Sequence, residues 1–219
     1  MNHDFDVAAI KATELLIEKE IAFAPIVPMS ILKTMPGVLV LSFTEMADCT
    51  GLDRSNIVTM YGAENQDAVT LVKEVNGKLR YFVAYNQRLP YYMLQRSLAR
   101  ELGHIVIGHD GSGAPEVRTE EAMAFARHLL CPRPLIKALL ESGIDLTVEV
   151  FGNVTGCYGR CLAGMRQTPG AHVPAEMNRR VKEQFKDFVA TYLDYHAIMP
   201  NDDDSPIAEF GAYMDNYEE

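Results

Sequence analysis

The sequence predicts an α+β fold, a small antiparallel sheet packed against a helical core. Two observations carry the prediction. The runs Ala68 to Val75 and Lys78 to Tyr85 are strand-like and meet at Asn76-Gly77, a pair that adopts the two positive φ angles of a type I′ hairpin turn with little strain. Downstream, Leu94, Leu98, Leu102, Ile105 and Val106 recur at helical spacing, so a buried helix follows the hairpin.

The remaining elements follow in chain order. Asp6 to Ile21 forms an amphipathic helix, with Val7, Ile10, Leu15 and Ile17 on its apolar side and Lys11, Glu14, Glu18 and Lys19 facing water. Pro25 and Pro28 end it, and Ser30 caps a short helical turn reaching Met35. Pro36-Gly37 breaks the chain before a strand over Val38 to Phe43. After the hairpin, Pro90 opens the buried helix and Gly108 closes it. A glycine-rich loop from Asp110 to Pro115 leads to a helix over Val117 to Leu130, whose core face is Ala122, Phe125, Ala126, Leu129 and Leu130. Cys131-Pro132-Arg133-Pro134 ends that helix, and a short one follows over Leu135 to Leu140.

Beyond Ser142 the pattern weakens, because glycines at 152, 156, 159 and 164 interrupt it. Thr168-Pro169-Gly170 reads as a linker. Glu176 to Met199 then resumes an amphipathic helix, with Val181, Phe185, Phe188, Val189, Tyr192 and Leu193 on one side. The last twenty residues carry seven carboxylates and no lysine or arginine, the pattern of a solvated tail or a docking segment. The expected organisation is a domain over 1–165, a linker and helix over 166–199, and an acidic tail over 200–219.

A net charge of −10 disfavours DNA and anionic membranes as direct partners, since phosphate binding needs a basic face. The chain opens without a basic, apolar export signal, and its four cysteines (49, 131, 157 and 161) read as reduced thiols of a cytoplasmic protein. Cys157 and Cys161 share a face if helical, but the second pair of a zinc site is missing.

The informative stretch is Arg100-Glu101-Leu102-Gly103-His104. In the pattern H-E-x-x-H, two imidazoles four residues apart bind zinc while the glutamate acts as general base. Glu101 and His104 are in register with it, but Arg100 holds the first histidine's place, and a guanidinium has no lone pair for a metal. With His104 as one ligand, a carboxylate of the next helix is the natural second. Glu121, four and eight residues before Phe125 and Leu129, shares their buried side, whereas Glu120 does not. Glu101 would polarise a metal-bound water. His109 offers a substitute ligand if the backbone turns after Gly108, or else bonds the backbone near the helix end. His128 is either within reach of the site or a half-exposed surface histidine.

Val83-Ala-Tyr-Asn86, Ser97 to His109 and Glu121-Ala-Met-Ala-Phe-Ala-Arg-His-Leu-Leu-Cys-Pro132 together resemble, in order and spacing, the ImmA/IrrE family of metallopeptidases. The resemblance covers roughly residues 6–165. It implies a zincin-like core in a cytoplasmic, prophage-associated protein that acts on a helix-turn-helix repressor. It also implies His104 and Glu121 as zinc ligands and Glu101 as catalytic base, with Arg100 departing from the pattern. Two expectations follow. In the first, the scaffold binds its regulator without cutting it, Arg100 replacing the charge of zinc and pairing with Glu101 or Glu121. In the second, it is an active zinc endopeptidase with His109 as the third ligand. A DNA-binding regulator is disfavoured by the acidic balance.

Overall fold

The computed structural model describes residues 4–53, 55–57, 67–110, 114–157 and 171–198. It divides into two compact units, one of Val27–Ala126 and the other of Asn2–Ile26 with Arg127–Glu219.

The first unit contains the sheet. Strand β1 (Val38–Ser42) pairs in parallel with β3 (Lys78–Tyr85), and β3 pairs antiparallel with β2 (Ala68–Val75), giving the order β1-β3-β2. The expected antiparallel sheet is therefore mixed. Its hairpin matches expectation: Asn76 and Gly77 have φ of 53° and 70°. The parallel strand has no local signature, because a parallel partner is reached only through a crossover connection.

β1 ends one residue earlier than expected. Ser42 caps helix α3 (Phe43–Thr50), its hydroxyl accepting from the Glu45 amide while the Glu45 carboxylate accepts from the Ser42 amide. This reciprocal capping box turns Phe43 into a helical residue. Phe43, Met46, Ile57 and Ala84 form a core cluster on the α3 side of the sheet. Val83, on the opposite face by strand alternation, is also buried, and helix α4 (Tyr91–Ile107) packs on β2 and β3. Helix α2 (Pro28–Thr34) packs against both β1 and α4.

α4 ends at Gly108, whose φ of 87° puts it in the left-handed region. Helix α5 (Pro115–Leu130) then lies against α4 at Gly103. A Cβ at Gly103 would sit 2.9 Å from the Ala122 carbonyl oxygen and 3.0 Å from Phe125 Cδ1. Only a residue without a side chain permits that approach, which holds α4 close to α5 beside Ala122.

The second unit is helical among its described residues. Helix α1 (Phe5–Glu18) packs on α8 (Ala175–Gln184), and α6 (Arg133–Glu141) packs on α8 and α9 (Lys186–Ile198). The buried face of α1 is Ala8, Ala9, Ala12, Thr13, Leu15 and Leu16 rather than the expected Val7-Ile10-Leu15-Ile17 side, and Val7 is exposed. Gln184 donates to the Leu16 and Ile21 carbonyls, tying α8 to the end of α1. The expected single helix over 176–199 is broken at Phe185, which is fully buried beside Val181 and Val189. Thr147 caps α7 (Val148–Thr155), which the glycine-rich sequence obscured. Cys157 is buried, while Cys161, the Thr168-Pro169-Gly170 linker and the acidic tail lie outside the described residues. No described helix is long and apolar enough to cross a membrane.

Candidate functional site

Arg100, Glu101, His104, His109 and Glu121 all lie in the first unit, on α4, the turn after it and α5, whereas His128 does not. Helical geometry places Arg100 and His104 one turn apart on α4. Glu121 is only partly exposed and Glu120 is exposed, so the carboxylate in phase with Phe125 is the one turned inward.

Arg100 does not direct its charge at the neighbouring helix. Its Nε and Nη2 both donate to Glu101 Oε1, at 2.9 and 2.7 Å, and Nη2 also donates to the Ala68 carbonyl at 2.9 Å. Glu101 is almost completely buried. Burial pushes its carboxyl above the usual range, and the Arg100 charge works in the opposite direction. The Thr70 hydroxyl lies by the same carboxylate, buried and without a completed hydrogen bond.

His109 occupies the space between the other two candidates. Its Nδ1 lies 2.8 Å from His104 Nδ1, and its Nε2 lies 3.1 Å from Glu121 Oε2. The left-handed Gly108 turns the chain so that the His109 amide donates to the His104 carbonyl while the ring folds back over α4. The side chains of His109 and Glu121 are 10% and 16% exposed, so water competes weakly for these bonds. An ionised Glu121 can only accept, which makes His109 Nε2 the donor. With both rings neutral, His109 Nδ1 then accepts from His104 Nδ1, leaving the His104 lone pair on Nε2. Burial, aided by His109, Arg100 and Arg118, holds the His104 imidazolium down to about 3.

Zinc needs three protein donors converging on one point. Here both His109 nitrogens are committed, one to each neighbouring ligand candidate, and Glu101 is engaged by a guanidinium. Among the described residues no group of three or more His, Cys, Asp and Glu side chains is placed to hold a metal ion. The donor set in this arrangement does not fit zinc.

His128 belongs to the second unit. Burial, with Arg127 and Arg133, holds its pKa down to about 4. Burial also pushes the Cys131 thiol up to about 12, which makes it a poor nucleophile. Sequence reasoning missed Arg118, whose buried Nε makes no hydrogen bond and whose charge acts on His104. Its position three residues before Glu121, on the same helical face, was the available signal.

Compared with family models, with curated proteins and with solved structures, the chain matches none.

Proposed function

We propose that this chain is a metallopeptidase-like regulator of the ImmA/IrrE type that binds a helix-turn-helix repressor without cutting it. The observation that carries the reading is the Arg100–Glu101 pair. The residue standing in a ligand's place neutralises the residue standing in the base's place, and the two close on each other within the fold. A carboxylate held this way has no free charge with which to activate water. The His109 ring bridges His104 and Glu121 where a metal ion would otherwise link them. The scaffold keeps its helices and its buried polar groups, and what remains for it is recognition.

The alternative is an active zinc endopeptidase with His109 as substitute ligand. It is favoured by one observation, the proximity of His109 to both His104 and Glu121. It requires the His109 ring to give up one of those bonds and turn a single nitrogen toward a shared point.

Elemental analysis of protein purified without chelator, together with cleavage assays on a co-encoded repressor, separates the two. The proposal expects substoichiometric zinc, no cleavage and a stable complex with the repressor. Stoichiometric zinc with cleavage would establish the alternative. Absence of any complex with the repressor would remove the regulator reading.

A further inference from the structure

Beside the Arg100–Glu101 pair, the first unit holds a small polar cavity of about 80 Å³, lined by Asp67, Arg96, Ser97, Arg100 and Met123. Three of these residues come from two successive turns of α4. Arg96 and Arg100 are four residues apart, so their like charges share a face and repel unless something negative lies between them. Ser97 is 95% buried with its side chain on the cavity, and it makes no hydrogen bond to another described residue. Arg100 spends Nε and Nη2 on Glu101 and Ala68, which leaves both N–H groups of Nη1 without a partner among the described residues. Arg96 is exposed and has no ion pair or hydrogen bond among the described residues.

Among the described residues the lining is thus rich in donors around one small space. A pair of guanidinium groups with a hydroxyl suits a carboxylate, which accepts several N–H and O–H bonds at once. Asp67 adds a requirement of its own. Its carboxylate would repel a bare anion, and it is met only if the ligand also carries an N–H donor close to its negative charge. Ordinary ligand pockets are roughly 300–1,000 Å³, so this one admits a terminal group and little more. Met123 supplies an apolar wall for a small side chain.

We infer that this cavity binds the free C-terminal carboxylate of a peptide chain. The carboxylate oxygens accept from Arg96, Arg100 Nη1 and Ser97, and the terminal amide N–H donates to Asp67. The inference rests on reading this face as one that holds a protein partner, and it is tested without that partner, so the two ideas can fail separately.

The test is titration of the full chain with N-acetyl-alanine, followed through the arginine side-chain N–H signals by NMR, with the Arg96 signal assigned by its loss in Arg96→Met. Acetate, N-acetyl-alanine amide and inorganic phosphate are titrated in parallel. N-acetyl-alanine is expected to give a saturable shift with a dissociation constant on the order of millimolar, as suits so small a ligand. Acetate, lacking the N–H, should bind about tenfold more weakly, and the amide should not bind. Asp67→Asn should reduce N-acetyl-alanine to the level of acetate, and Arg96→Met, an exposed change, should abolish its binding while leaving the fold intact by circular dichroism. Acetate equal to N-acetyl-alanine would overturn the assignment in favour of a side-chain carboxylate. Tighter binding of phosphate, absence of saturation, or persistence of binding in Arg96→Met would each overturn it as well.

Discussion

Arg100 closes on its own chain neighbour, Glu101, with two donors converging on a single carboxylate oxygen at 2.9 and 2.7 Å. Adjacent residues on a helix point about 100° apart, so this contact requires the arginine to bend back across α4 toward β2, where the Ala68 carbonyl receives it. The consequence is a buried carboxylate whose counter-charge comes from one side chain, with Thr70 beside it.

Removing that side chain should therefore be costly. Arg100→Met leaves Glu101 buried without its counter-charge, and a loss of about 3–5 kcal/mol is expected from urea unfolding. Glu101→Gln in the same background should recover most of the loss, because the group left behind is then neutral. Equal stability of the single and double variants would show that the pair is not coupled.

Arg100→His probes the same pair from the side of function. Zinc uptake should remain poor unless His109 also releases its bond to Glu121, so the paired variant Arg100→His with His109→Ala is expected to take up more zinc than Arg100→His alone. Inductively coupled plasma mass spectrometry of the two proteins decides it. The reverse ranking would mean that His109 serves as a ligand rather than as an obstacle.

The tautomers of the two rings are also open to measurement. At a pH where both are neutral, His104 should carry its proton on Nδ1 and His109 on Nε2, read from long-range nitrogen–proton correlation spectra. Glu121→Gln removes the strict acceptor and should weaken this preference. Opposite tautomers in the unaltered protein would contradict the bonding order derived from Glu121.

Gly103 sets how closely α4 and α5 approach. Gly103→Ala forces a methyl against the Ala122 carbonyl oxygen and the Phe125 ring. The expected cost is about 1–3 kcal/mol by thermal or urea unfolding, with perturbed His104 and His109 signals as the helices separate. Stability equal to that of the parent would mean the helices part without strain.

Acidification should destabilise the fold through His128. His128 is held down to about 4 from an ordinary 6.5 by burial, with Arg127 and Arg133 acting in the same direction. Its folded pKa is depressed, so its neutral form stabilises the protein above about 6.5, and that contribution is lost as pH falls toward 4, on the order of 1 kcal/mol per pH unit. Glu101, raised by burial, contributes with the opposite pH dependence. His128→Gln should flatten the decline between pH 6.5 and 4 in denaturation curves taken across that range. An unchanged slope would mean that His128 is not the group responsible.

Local chemistry made several of these features readable in one dimension. Asn76-Gly77 specified a hairpin because few other residue pairs accept two positive φ angles, and Gly108 stopped α4 for the same reason. The inward choice of Glu121 over Glu120 followed from its phase with Phe125. The capping box at Ser42 and Glu45 was equally present in the sequence, but the apolar run before it drew the strand one residue too far.

Other features had no local signal. The parallel pairing of β1 with β3 depends on contacts between residues some forty positions apart. α1 buries its alanines rather than Val7, because its packing against α8 settles which of two apolar sides turns inward.

The amino-acid order dictated the hairpin, the span of α4 and most of the titratable groups that enter the α4–α5 region, since periodicity and backbone preference act over a few residues. It left open the partners those groups take. Arg100 had Glu101 and Glu121 within its range on paper, and in the packed fold the guanidinium closes on Glu101 with the Ala68 carbonyl, delivered by β2, as its further acceptor. His109 likewise had a backbone bond or a ligand's role before it, and the turn at Gly108 swung its ring between His104 and Glu121. Side-chain pairing is a matter of ångströms between distant segments, and those distances exist only once the chain has packed.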